Sequence, residues 1–282
     1  MLEAKLRDAA FGAVPMRSLP DLQAAGAPRV RLLAAIVLGA SGRYAAAATI
    51  LVELIRSADL VIASLAGSTF ASHRRQLGGH AVARGFDGAA LLTASRASGT
   101  QPDPDGLDAQ GALSDALLGL AADNLALGRL PAARRFAAAA AEVPAGWRGE
   151  VRSGWVGAEI ELAAGSPETA VAPAERAAER AHDRGARRHS IKSDLVLSAA
   201  LAGTKDPIGH ERAIALAGNA LSDAEKDECY SLIWPACAIL GNLGAEHGEK
   251  YRFRGAQVLH GVLLRADPGG RRIAHDSPWV PT

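Results

Sequence analysis

Apolar residues recur along this chain at helical spacing. Leu32, Leu33, Ile36 and Val37 fall on one stripe, and Leu113, Leu117, Leu120 and Leu127 on another. That three-and-four periodicity marks amphipathic helices. No stretch shows sustained period-two alternation with Val, Ile and Thr enrichment, so strands are not organising elements. Helical segments alternate with glycine turns at Gly42, Gly85, Gly128, Gly165, Gly203 and Gly244, spaced 43, 43, 37, 38 and 41 residues apart. Glycine suits these places because helices often end in a left-handed residue.

Ala47, Ala90, Ala133 and Ala170 stand five positions after the first four turns, where a small residue lets the second helix lie tightly on the first. Pro131 and Pro167 follow their turns closely, where proline opens a helix well. A near-constant spacing of helix–turn–helix units is the signature of a helical repeat array. The spacing predicts helix pairs near 29–56, 58–98, 107–142, 147–185, 187–220 and 225–266. Residues 1–25 read as a short capping helix and a linker with Pro15 and Pro20, and Ser98–Gly111 as the main solvated loop. Residues 1–266 form one helical-repeat domain in this reading. Residues 267–282 follow as an extended tail; its part from Ile273 to Thr282, where Pro278 and Pro281 are expected to prevent a helix, is either mobile or docked through Trp279.

The small residue, turn glycine and later alanine resemble the tetratricopeptide repeat over roughly Arg29 to Ala266. The family's unit is about 34 residues, shorter than every spacing here, and its Trp–Leu–Gly–Tyr signature is not reproduced in full. The resemblance implies an all-α, right-handed superhelical array of about six antiparallel helix pairs. It also implies that the first helix of each pair lines a concave groove, with ligand-facing positions about 13, 10 and 6 residues before each turn. Transferred to this chain, those positions are Arg29, Ser72, Asp115, Arg152, Ser190 and Ser231; then Leu32, Arg75, Leu118, Trp155, Ser193 and Trp234; then Ile36, Gly79, Ala122, Glu159, Leu197 and Ala238. Candidate binding residues are Arg29, Ser72, Arg75, Arg152, Trp155, Glu159 and Trp234. Arg forks bind carboxylates bidentately, and Trp supplies anchor area. These positions contain no Asn or Lys, so the family's carboxylate clamp is not implied.

Composition narrows the function classes. Hydrophobic residues make up 49% of the 282 residues, charged residues 22% and aromatics 4%. The chain is therefore globular in composition, with a core of mainly Ala, Leu, Val and Ile. A formal net charge of +1 gives no global signal for nucleic acid. Cys229 and Cys237 lie eight positions apart, roughly 12 Å along one helix, too far for a disulfide. They read as small core residues in a reducing compartment. The N-terminus has acidic residues early and no long apolar stretch, and the longest uncharged run, Cys229 to Ala245, falls short of the ~20 residues that span a bilayer. A cytoplasmic protein is expected.

Phosphate loops, GxSxG, HExxH and CxxC are absent from the sequence. Asp103–Ser114 departs from the EF-hand pattern, with Gly106 two positions early and Ser114 in place of the bidentate Glu. His73 and His80, like His182 and His189, are seven apart, too far along a helix to share an ion; surface or capping roles are expected, and no metal or cofactor. The basic runs Ser72–Gln76 and Ala186–Lys192 read as solvated helix faces, or in the sharper alternative as anion-binding positions. Arg148, Arg152, Trp155 and Glu159 form one helical stripe; Trp155 and Trp234 belong either to the core or to the groove. The leading expectation is a non-catalytic interaction scaffold or adaptor that binds a peptide or partner helix. RNA or phosphoprotein binding through Arg-rich inner positions stands second, and an enzyme on a helical array third.

Overall fold

The computed structural model describes residues 2–13, 26–98, 101–244 and 248–280. The expected linker over residues 14–25 lies outside them. Of the described residues, 79% are helical and none is in a strand. That is far above the roughly one third of an ordinary globular domain. The helices are α1 (Leu2–Phe11), α2 (Pro28–Ala40), α3 (Tyr44–Leu54), α4 (Leu60–Gln76), α5 (His80–Ala94), α6 (Ala109–Ala126), α7 (Leu130–Ala141), α8 (Gly146–Ala163), α9 (Pro167–Asp183), α10 (Arg187–Gly203), α11 (Pro207–Lys226), α12 (Tyr230–Asn242), α13 (Gly248–Leu264) and α14 (Pro268–Asp276).

Local chemistry sets these boundaries. Asp59, Asp108, Asp206 and Asp267 each accept a hydrogen bond from a backbone N–H in the first turn of α4, α6, α11 and α14, which satisfies donors a helix start leaves orphaned. Prolines open α2, α9, α11 and α14. Gly42, Gly128, Gly165 and Gly244 hold positive φ at the expected turns. At Gly42 (φ 71°), the next N–H, of Arg43, bonds back to Leu38 O at 2.8 Å, the six-to-one closure of a Schellman turn.

Two turn assignments are corrected. Gly85 lies inside α5, and the left-handed residue between α4 and α5 is Gly78 (φ 79°). Five positions beyond Gly78 stands Ala83, fully buried like Ala47, Ala133 and Ala170. Gly203 is the last residue of α10, and the chain leaves that helix through Thr204 in an extended conformation.

Consecutive helices pack side by side. In addition, α2 packs on α4, α4 on α6, α6 on α8, α8 on α10 and α10 on α12, and α12 comes back against α2. The even-numbered helices α2 to α12 therefore enclose a central space, with α3, α5, α7, α9, α11 and α13 outside them. The ends are joined as well, since Ala45 N donates to Arg265 O at 2.9 Å. Buried alanines at 0% exposure, such as Ala133, Ala170 and Ala213, permit the close approach of inner and outer helices.

At the N-terminal end of the inner helices, α1 packs on α2 and α10. It is held there by the segment before α6, which is not the solvated loop expected. Asp105 is buried and Asp103 half-buried, and Arg7 donates to both at 2.8 Å. Asp105 also accepts from Trp147 Nε1 and from Arg184, each at 3.2 Å. The C-terminal segment is not an extended tail through its length either. Asp267 caps α14 and takes both guanidinium nitrogens of Arg74, at 2.8 and 3.0 Å. Val280 is buried against Gly78, whereas Trp279 stays 60% exposed. The segment docks through Asp267, Ala274 and Val280. The two prolines do not prevent this helix, because Pro278 and Pro281 lie beyond its end. No helix among the described residues is long and apolar enough to cross a membrane.

Candidate functional site

The inner helices leave a central cavity of about 720 Å³, within the size range of ligand pockets. Phe11 of α1 lines it at the end where the inner helices begin. Leu125, Ala163 and Ile239 line it where they finish, beside His80 and Trp279. Those two rings meet edge to face at 6.3 Å. The cavity is cationic where the inner helices start and mostly apolar where they end.

Six of the seven candidate binding residues reach this space: Ser72 and Arg75 from α4, Arg152, Trp155 and Glu159 from α8, and Trp234 from α12. Arg29 does not. Its guanidinium donates to Asp103 at 2.8 Å and to Leu107 O at 3.1 Å, outside the cavity. The stripe of Arg148, Arg152, Trp155 and Glu159 on α8 faces the cavity along its length, as four residues spaced i, i+4, i+7 and i+11 should.

Trp155 is both core and cavity wall. It is 7% exposed; its Nε1 donates to Ser193 Oγ at 2.8 Å, and Ser193 Oγ donates onward to Ala177 O. His189 stacks on its ring at 5.6 Å, and Lys192 Nζ sits 4.4 Å from its centroid. Such a cation over an indole is an attractive contact. Trp234 is half-buried and lines the cavity.

Arg75 and Arg152 are already engaged. Arg75 donates to Asp123 at 2.8 Å and to Asp87, both carboxylates being fully buried. Burial pushes the Asp87 carboxyl up, to about 7, against the opposing pull of Arg75. Arg152 and Arg148 share Asp115, with Arg148 Nη1 at 2.6 Å. Arg148 spends its remaining donors on Asp105 O and Gly106 O.

On α10 the repeat register missed the charged cavity residues Arg188, His189 and Lys192. The register there was counted from Gly203, which is not a left-handed turn. It therefore selected Ser190, Ser193 and Leu197, which do not line the cavity. The signal that finds the true face is in the sequence. Arg188, Lys192, Leu195 and Ala199 repeat the i, i+4, i+7, i+11 spacing of α8, and all four line the cavity.

The basic runs are not solvated faces. Arg74 and His73 are buried, Arg187 pairs with Asp223 and Asp227, and Arg188 and Lys192 turn inward. The surface or capping role expected of the histidines holds for exposed His182, which meets Asp194 at 3.0 Å. It fails for His73 and His189. Burial, and then neighbouring Arg188 and Arg74, lower His73 to about 3. Burial and four surrounding cations hold His189 well below the usual imidazole range. Both rings are neutral at pH 7.

Cys229 and Cys237 are buried, as expected of small core residues, and burial pushes both thiols up to about 11. Thiols protonated at neutral pH are poor nucleophiles. Among the described residues, no group of three or more His, Cys, Asp or Glu side chains is placed to hold a metal ion. The cavity thus offers positive charge, hydrogen-bond donors and aromatic walls. The chain matches no family model and no curated protein sequence.

Proposed function

We propose that this chain is a non-catalytic recognition module of tetratricopeptide-like build. Its roughly six antiparallel helix pairs follow a right-handed superhelix until the last pair meets the first. In a reducing cytoplasm it receives a short segment of a partner protein in its central cavity. One observation carries this reading. Ser72, Arg75, Arg152, Trp155, Glu159 and Trp234, on three separate helices, line one enclosed space. Those of α8 and α12, counted from the left-handed turns Gly165 and Gly244, are brought together by folding as a recognition surface built from repeats requires, and Ser72 and Arg75 join them although Gly85 is no turn.

The volume selects the form of the segment. A helix about 10 Å wide occupies roughly 400 Å³ per 5.4 Å turn, so about 720 Å³ holds fewer than two turns. An extended segment of a few residues fits better than a partner helix. Trp234, half-buried on the wall, is the anchor in this reading, since truncating such an aromatic typically removes 2 kcal/mol or more of binding energy.

The test is affinity selection from a defined library of synthetic hexapeptides, some of them phosphorylated. Wild type is expected to retain a sequence-related subset, and Trp234→Ala to lose it with helicity unchanged by circular dichroism. Equal retention by both proteins, or none by wild type, refutes the reading.

A further inference from the structure

The cationic end of the cavity holds more positive charge than the protein neutralises. Arg148, Arg152, Arg188 and Lys192 all line it, and all four act on the imidazole of His189 that lies among them. Three carboxylates answer them. Asp115 bonds both Arg148 and Arg152, and Glu159 acts on Lys192 from one helix away. The third is Asp87, which is bonded to Arg75 and also acts on Arg152. Counted with Arg75 and Asp123, five cations face four carboxylates, so positive charge remains in excess.

The surplus is localised. Arg148 and Arg152 have Asp115. Among the described residues, no carboxylate lies within ion-pair distance of Arg188 or Lys192. Arg188 Nε is buried with no hydrogen-bond partner, and so are Ser231 Oγ and His189 Nδ1. Ser231 is 2% exposed and belongs to the first turn of α12, beside the end of the cavity where Arg188 enters. Buried polar groups in native proteins are almost always paired, so unpaired donors gathered on a cavity wall point to a ligand.

We propose that Arg188, Lys192 and Ser231 form a subsite for a phosphomonoester, carried on the segment that the cavity receives. This rests on the peptide-binding reading above and adds the chemistry of what is recognised. A phosphomonoester bears close to two negative charges at pH 7 and three strong acceptor oxygens. Its two charges suit the two unpaired cations, Arg188 and Lys192, and its oxygens match a guanidinium fork, an ammonium and a hydroxyl. A carboxylate brings a single charge to these two cations. The first turns of the parallel inner helices add their positive dipole ends. Beyond the phosphate, the wall turns apolar through Leu195 and Leu118, which suits an aromatic or aliphatic linker to the phosphate.

The phosphate has two possible sources, a phosphorylated side chain of a partner segment or a free phosphorylated small molecule. The experiment separates them. Phenyl phosphate, benzoate and phenol are titrated calorimetrically into the full chain at pH 7.5, followed by hexapeptides with and without phosphoserine or phosphotyrosine. Phenyl phosphate is expected to bind at least tenfold more tightly than benzoate or phenol. Arg188→Gln and Lys192→Gln are each expected to weaken it tenfold or more, and Lys192→Arg to restore most of the affinity. Far-UV circular dichroism and the melting temperature identify variants that retain the fold.

Failure of phenyl phosphate to bind wild type overturns the proposal, and so does equal binding to folded Arg188→Gln and Lys192→Gln. Retention of phosphopeptides over their unphosphorylated forms supports both the subsite and the peptide reading. If phenyl phosphate binds and no peptide does, the subsite stands, its source is a small molecule, and the peptide reading falls. If unphosphorylated peptides bind as well as phosphorylated ones, the peptide reading stands and the subsite is overturned.

Discussion

Replacing Arg75 with leucine removes the counter-charge of two carboxylates that water does not reach. Asp87 and Asp123 are both 0% exposed. Arg75 spans them, with Nε donating to Asp123 at 2.8 Å and Nη2 reaching Asp87 and, at 3.4 Å, the second oxygen of Asp123. Stripping the cation from a buried pair leaves uncompensated charge and destabilises by about 3–5 kcal/mol. With a urea m-value of roughly 3 kcal/mol/M for a chain of this size, the unfolding midpoint falls by about 1 M or more.

The pH dependence of that loss has a defined sign. Without the guanidinium, the Asp87 carboxyl rises further above its unfolded value of about 3.9. The folded variant then binds protons that the unfolded chain has released, so its stability declines as pH rises above about 4. Wild type shares part of this decline, because Asp87 already sits near 7. The difference between the two proteins should therefore widen from pH 5 to pH 8. Urea unfolding followed by far-UV circular dichroism at both values reads it directly. A loss under about 1 kcal/mol at pH 8, or a larger loss at pH 5 than at pH 8, refutes the argument. Arg75 would then be free to serve a ligand.

Further expectations follow from single contacts. Ala133→Leu and Ala170→Leu insert bulk at fully buried helix contacts and should each lose about 1–3 kcal/mol; unchanged melting temperatures for both would contradict the packing. His73, lowered to about 3 by burial, should show no imidazole titration by NMR between pH 7.5 and 5. Because its folded value lies below the unfolded one, its contribution to stability is full above about 6.5 and is lost as pH falls toward 3. Asp267→Ala removes both the cap of α14 and the partner of buried Arg74 and should lose about 2 kcal/mol or more, whereas Trp279→Ala should stay within about 0.5 kcal/mol. Equal melting shifts for those two variants would show that Trp279 docks the segment after all.

Helices and most turns were legible in the sequence because they depend on neighbouring residues. Periodic leucines, capping aspartates and left-handed glycines act within one or two turns. The failure at Gly85 is instructive. A glycine inside a helix looks the same in sequence as one that ends it, and nothing within 4 Å of Gly85 demands a missing side chain. The true stop, Gly78, follows three basic residues in the last turn of α4, a local signal that favours a helix end there. The α8 face was readable because its turn, Gly165, is real. Counting from Gly203 missed the α10 face, whereas counting from Gly85, which is no turn either, still reached Ser72 and Arg75 of α4. Partners from distant segments were beyond reach. Nothing around Arg75 in the sequence names Asp123, and nothing near Arg29 names Asp103. The enclosed cavity was equally hidden, because it depends on α12 meeting α2.

That meeting changes how the molecule should come apart. In an open array of repeats, each unit leans only on its neighbours, and the two outermost units fray first. Here the first hairpin is bonded to the last, with Ala45 and Arg265 joined across about 220 residues. Relative to hairpins about 40 residues apart, bringing those ends together adds only about 1.5 kcal/mol of loop-closure entropy. Once closed, no hairpin is outermost. Amide exchange in α2 and α13 should then slow to the rate of α6 and α8, and losing either end should loosen the whole circuit at once.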